Sequence, residues 1–451
     1  MRIFLSLFLS LAAMGLPRAH ASPATAYPHL PPPYTCVTNY YVDGTVGSDS
    51  NQGASPQSAW RTIRRAVIEF AGYGHGGICV NVAPGTYSEL LYLGLMGGSS
   101  DSETGYLVFR SAVPLKAKIT LPRSRWAKFH NIGIQFSSYI IFDGFEEYFE
   151  NSAAAPNAGF FIQGKPDNIT HHIKILNCLI HDTGSSGIAI ANHTDYITAS
   201  GNTIHNTAGY INGSPLTMWR AYAFDTKPGY HNFFTNNKIY NNINFGDFEH
   251  TEGTGIIMDQ LDHYSYPNAT LIENNVIFGN GGSCIAIYQS SNATVRFNTC
   301  YHNTQDPSIT FARGEIFAAQ ANNTVLANNI AYAAPGPPPG VTALDDDPGP
   351  HHETGNRWVS NLAYGIESDG VTPLKPESLI RVAPGGAPIT AGNGNLLGAD
   401  PLFKNAPRDF SLMPGSPAIG AADEAWGVPA QDIRNKPRKA PHDLGAFAFS
   451  P

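Results

Sequence analysis

The chain has only five cysteines in 451 residues, too few for a disulfide scaffold. No Cys-x-x-Cys or His-Glu-x-x-His pattern occurs, so no structural zinc site is expected. Cys36–Cys79 and Cys284–Cys300 are two pairs open to it. Spacing alone does not fix pairing, and the odd count leaves at least one thiol over. Cys178 reads as a buried, inert residue. Long apolar runs are lacking too. The stretch Ile3 to Leu16 is too short to cross a bilayer, and no later segment is longer. It follows Arg2 and precedes Ala19-His20-Ala21, so residues 1–21 read as a secretory signal and the mature chain as secreted, extracellular or periplasmic. Basic charge is scarce as well. Without Arg2 and Arg18, 25 basic side chains face 35 acidic ones, a net charge near −10. That argues against nucleic acid and against an anionic membrane. An anionic polysaccharide stays compatible if a local basic patch or a metal ion offsets the field.

What the chain does have is a repeat. Cys178-Leu-Ile-His, Asn202-Thr-Ile-His, Asn237-Lys-Ile-Tyr, Asn275-Val-Ile-Phe, Asn298-Thr-Cys-Tyr and Asn328-Asn-Ile-Ala recur every 23 to 38 residues. Each follows a short alternating strand and precedes a polar turn. Such a unit cannot bury its apolar face alone, so coils must stack into a solenoid. The Asn column reads as a structural ladder, amide bonded to amide. Asn-x-Ser/Thr sequons at Asn168, Asn192, Asn212, Asn268, Asn292 and Asn322 read as turn chemistry rather than glycosylation.

Residues 22–38 are Pro-rich and expected to be extended, and residues 39–451 form the folded domain with its caps. Ile63, Ala66, Val67 and Phe70 have helical spacing, which predicts a short helix over Thr62–Phe70 covering the open N-terminal end. The segment Leu397 to Phe449 reads as a closing cap. Tyr41-Val-Asp-Gly-Thr, Ala59-Trp-Arg-Thr-Ile and Pro84-Gly-Thr-Tyr resemble the start of secreted right-handed parallel β-helix proteins. Asp400-Pro-Leu-Phe, Asp409-Phe-Ser-Leu and Asp443-Leu-Gly-Ala-Phe resemble their C-terminal end. The resemblance is to the pectin-lyase-like superfamily. It implies an all-β, single right-handed parallel β-helix and a polysaccharide partner. It leaves activity open, because that superfamily holds lyases, hydrolases, epimerases and adhesins.

One strand aligns across coils: Gly159-Phe-Phe-Ile-Gln, Gly187-Ile-Ala-Ile-Ala, Ala221-Tyr-Ala-Phe-Asp, Gly255-Ile-Ile-Met-Asp and Cys284-Ile-Ala-Ile-Tyr. Alternation points Tyr222 and Phe224 inward with their counterparts and leaves an outer floor rich in alanine. Gln163, Ala191, Asp225, Asp259 and Tyr288 then form one outward column, followed by Lys165, His193 and Lys227. Two inserted loops enter this strand, one with Tyr210, Trp219 and Arg220, the other with Asp247, Glu249, His250 and Glu252. Long loops on one edge of a solenoid usually build its binding face.

Asp225 and Asp259 on adjacent coils would repel. They must share a proton, pair with a base or bind a cation, for which Ca²⁺ is the candidate. Asp225, Asp259, Lys227, His250 and Glu252 are the candidate catalytic residues. Trp219, Arg220, Tyr210, Tyr288 and His193 are the candidate sugar contacts. A structural account competes for several of them. Strand-end Asp bonds turn amides, an exposed Lys227 is ordinary, and His231 reads as packing. Three functions follow: a lyase cleaving a uronate-containing polysaccharide by β-elimination, a glycoside hydrolase using the Asp pair, or a non-catalytic polysaccharide-binding β-helix. A soluble monomer is expected in each case.

Overall fold

The computed structural model describes residues 30, 32–121, 130–149, 157–209, 213–244, 250, 253–309, 313–333, 341–351 and 355–450. The chain coils through three parallel sheets of 11, 11 and 10 strands. Each turn visits the first sheet, then the second, then the third. The coil running through Thr170–Leu176, Leu179–His181 and Ile188–Ala191 is typical. The next coil pairs with it in register, Ile173 opposite Ile197, Ile180 opposite Ile204, and Ile188 opposite Leu216.

The core is a set of stacked apolar columns. In the third sheet Ile132, Phe160, Ile188, Leu216, Ile256, Ile285, Ile316 and Leu344 lie one above another, all fully buried. Between the first and second sheets the turn is short. A left-handed residue such as Asn236 or Asn274 makes the corner, and the next residue is the ladder asparagine. Asn202, Asn237, Asn275, Asn298, Asn329, Asn361 and Asn395 bond amide to amide at 2.9–3.1 Å. The ladder thus uses Asn329 and not Asn328, which is the left-handed corner residue of its coil. A second ladder, Asn242, Asn280 and Asn303, ends on buried Glu315.

The N-terminal helix is Ile63–Glu69, with Ile63, Ala66 and Val67 buried. Thr62 caps it by accepting from the Arg65 amide at 3.0 Å, and the Glu89 carboxylate accepts from the Ile63 and Arg64 amides. Both cysteine pairs are bridged, Cys36–Cys79 and Cys284–Cys300, and Cys178 is free and buried. Burial pushes its thiol up, as expected for an inert residue.

The C-terminal segment does not simply close the tip. It turns back along the outer face of the second sheet. Phe410, Ile433, Ala446 and Phe447 pack on Val276 and Phe278, while Leu412, Ala418 and Leu444 pack on Ile330, Leu362 and Tyr364. Hydrogen bonds from Asn274 to Gln431, Arg438 to Asn274 and Asn328 to Asp423 fasten it. Among the described residues no helix is long and apolar enough to cross a membrane.

Candidate functional site

The outer face of the third sheet carries the site. Register places Thr217, Ile257, Ala286, Phe317 and Asp345 in one outward column. The neighbouring column holds Gln135, Gln163, Ala191, Trp219, Asp259, Tyr288, Ala319 and Asp347. This corrects the expected alignment at one coil. The strand there is Leu216–Trp219, not Tyr222 to Asp225. Leu216 and Met218 point inward, while Tyr222 and Phe224 are 42% and 43% exposed. Pro215-Leu-Thr-Met-Trp alternates as well as Ala221-Tyr-Ala-Phe-Asp does, and the loop length decides between them.

The correction separates the two aspartates. Trp219, not Asp225, lies beside Asp259. Asp225 sits around the corner, past the left-handed Arg220. Its carboxylate pairs with the Lys227 ammonium at 2.8 Å and accepts from the Tyr196 hydroxyl and the Lys227 amide. Desolvation opposes its ionisation, but those donors more than offset it and hold Asp225 at about 2. The same contact raises Lys227, which removes it as a base. Asp225 and Asp259 therefore do not fit a calcium ion bridging them. Among the described residues the grouping of metal-ligand type is Cys284, Cys300 and Glu315, and the disulfide has consumed both thiols. The run Asp345-Asp346-Asp347 is likewise engaged. Asp346 accepts from Trp358 and Asn356, and Arg313 and Arg381 hold Asp345 and Asp347.

Asp259 is different. It lines a groove of about 460 Å³ together with Ile257, Gln260, Tyr288, Thr304, Arg313 and Phe317. One of its carboxylate oxygens is buried with no hydrogen-bond partner. Burial raises its pKa, against the pull of a hydrogen bond with Gln260 and the charge of Arg220. The Arg220 guanidinium lies over the Trp219 ring, 4.3 Å from its centroid, and donates to Gln260 at 2.9 Å, so this part of the rim is positively charged and aromatic. His250 donates through Nδ1 to the buried Asp306 carboxylate at 2.7 Å. Asp306 belongs to the stretch that supplies Thr304 and Ile309 to the groove wall. Sequence reasoning had named His250 but missed Asp306, Arg313 and Phe317. Only the stacking of coils brings Arg313 and Phe317 into one groove with Asp259, and Asp306 into the stretch between its wall residues Thr304 and Ile309.

The remaining candidates fall as follows. Tyr288 lines the groove beside Asp259. His193 lies at the corner, 5.3 Å from Tyr222 and 5.2 Å from Tyr264, ring to ring. His231 is buried, with Nδ1 on Asp195 at 3.1 Å and Nε2 on the Lys227 carbonyl at 2.9 Å, a packing role. Tyr210 and Glu252, with Asp247 and Glu249, lie outside the described residues.

The fold is that of a right-handed parallel β-helix protein. Residues 171–370 match the family model described as right handed beta helix region. The structure is similar to that of pectate lyase Pel9A, at 16% identity and TM-score 0.53, over 92% of this chain and 98% of that one. It is also similar to a lacto-N-biosidase from Eubacterium ramulus, at 13% identity and TM-score 0.49, over 77% and 67%. A rhamnogalacturonan lyase aligns at 14% identity and TM-score 0.35, over 72% and 87%. No curated protein sequence matches the chain.

Proposed function

We propose that the protein is an exported carbohydrate-active enzyme that takes an anionic saccharide chain into the groove over Asp259 and cleaves it by β-elimination. The observation that carries this reading is the Asp259 carboxyl. It is raised by burial, half unpartnered, and set on the floor of a groove rimmed by Trp219, Tyr288, Phe317, Arg220 and Arg313. Carboxyls so perturbed inside a cleft are functional-site candidates. Arg220 takes the charge-neutralising role that calcium was expected to fill, since Arg313 is already paired with Asp345 and Asp347. A uronate carboxylate against Arg220 makes the adjacent sugar C–H more acidic. His250, oriented by Asp306, accepts that proton, and Asp259 returns one to the departing glycosidic oxygen. The two disulfides support export, since such bonds persist in oxidising compartments.

The raised Asp259 also favours a second reading, hydrolysis with Asp259 as general acid. One experiment separates them. The mature protein is incubated with polygalacturonate, alginate and xylan while absorbance of unsaturated ends and new reducing ends are followed together. Elimination gives both signals, hydrolysis only the second. Asp259→Asn is expected to fold and to lose at least ~100-fold in rate. Full activity in that variant would move the site elsewhere.

A further inference from the structure

Around the corner from the groove, rings from three successive coils meet in one cluster. His193, Tyr222 and Tyr264 are contributed by consecutive turns, with Tyr222 and Tyr264 6.4 Å apart and His193 within 5.3 Å of each. Two residues beyond Tyr222, Phe224 stacks on His171 at 3.8 Å. Tyr222 and Phe224 are among the few aromatic side chains of the described residues that remain well exposed. Leaving large apolar rings in water is unfavourable, at roughly 25 cal/mol per Å² of apolar surface. A flexible loop would collapse to hide them.

This loop is not free to collapse. The Tyr222 amide donates to the Thr194 carbonyl at 3.3 Å, and the Phe224 amide donates to buried Asp195 at 2.7 Å. Asn268 donates to the Asp225 carbonyl at 2.8 Å. His231 closes the loop from below through its contacts with Asp195 and the Lys227 carbonyl. The rings are therefore held in place before any ligand arrives, and such pre-organisation lowers the cost of binding. The charges nearby cancel in pairs, Asp225 with Lys227 and Asp101 with Lys174. The ledge thus offers exposed aromatic surface without net charge.

We infer that this ledge of His193, Tyr222, Tyr264 and Phe224 is an accessory saccharide subsite that stacks sugar rings of the same chain whose scission occurs over Asp259. This rests on the carbohydrate reading above and adds where a longer chain is held. Pyranose rings present apolar C–H faces, and these suit the electron-rich faces of aromatic rings. The three rings gather into one cluster, all within 6.4 Å of one another, an apolar patch of the size that one or two sugar rings cover. Trp219 and Arg220 make the ledge continuous with the groove, since they close the strand from which the loop departs.

The test uses the mature protein and a Tyr222→Ala/Phe224→Ala variant, with Tyr222→Phe as the conservative control. Retention in native gels containing polygalacturonate, alginate or xylan is measured, with kinetics on the cleaved polymer and on its trisaccharide. Two stacking contacts predict roughly tenfold weaker retention and a KM raised by the same factor on polymer. kcat and trisaccharide kinetics stay near parent, and Tyr222→Phe restores binding. The loss should persist at 0.5 M salt, because stacking is not screened. Unchanged retention in the double variant, while Asp259→Asn still abolishes cleavage, overturns this inference alone. Failure of the parent to bind or cleave any of the three polymers overturns both readings. Loss of self-association rather than of saccharide binding in the double variant would make the ledge a protein contact and also overturn it.

Discussion

Asp259 and His250 owe their chemistry to neighbours that hold them, and those neighbours can be tested one at a time. Asp306 touches no substrate in the mechanism above, yet its buried carboxylate sets the ring of His250. Asp306→Asn keeps the shape and one acceptor but removes the charge. The expected result is a kcat reduced roughly tenfold or more with KM unchanged, the mark of a positioning residue. An equal change in KM alone would assign Asp306 to folding or binding. Glu147 allows a test of burial without function. It is fully buried, one of its oxygens has no partner, and burial pushes its pKa to about 8. Between the ordinary glutamate value and that point the native protein binds more protons than the unfolded chain. Stability therefore falls as pH rises through this window. Glu147→Gln should flatten that decline and leave the variant more stable than the parent above pH ~8, as read from denaturation midpoints across pH. A parallel decline in both proteins would show that Glu147 is ionised in the native state.

At the scale of the element, the Asn ladder is where the fold can be broken most directly. Asn275 accepts from the backbone and side chain of Asn237 and donates to Asn298 and to the Phe234 carbonyl. Asn275→Ala strands several of these buried groups at once, so a loss of about 2–4 kcal/mol is expected from urea unfolding. A loss below ~1 kcal/mol would mean that the neighbouring coils relax into the gap. The ladder was legible in the sequence because asparagine recurs beside a fixed Ile. Its one slip, Asn328 for Asn329, arose where two asparagines stand together and both serve, one as corner and one as rung. The strand slip at Ala221-Tyr-Ala-Phe-Asp had a different cause. Alternation marks a strand but not its distance from the last corner, and an inserted loop hides that distance. The error carried Asp225 onto the wrong surface and created a carboxylate pair. Asp259 and Tyr288 keep their expected places in the outward column because their coils kept the pattern, whereas Trp219, expected in the inserted loop, closes the strand of the slipped coil. Asp306 and Arg313 could not be found, since no local rule links a loop residue to a strand two coils away.

The whole molecule is fixed at both ends by unlike devices. The N-terminal end is covered by a helix whose apolar stripe was readable from four residues, and the disulfide Cys36–Cys79 ties the first strand to the second. The C-terminal segment was recognisable as a cap, but its path along the side of the solenoid was not. That path depends on contacts with coils more than a hundred residues earlier, such as Arg438 with Asn274 and Gln431 with Asn274.

That path has a mechanical consequence. Ala446 and Phe447 lie beside Val276 and Phe278, while the final coils of the solenoid lie several turns further along. A pull on the carboxyl terminus therefore reaches the middle of the stack before it reaches the tip. It must shear the tail off several coils side by side, where a tail ending at the tip would let coils peel away singly. In a single-molecule stretching experiment with handles at residues 38 and 450, release of the tail should appear as one abrupt rupture preceding any stepwise extension. A sawtooth of small, equal steps from the first extension would mean that the tail bears no load.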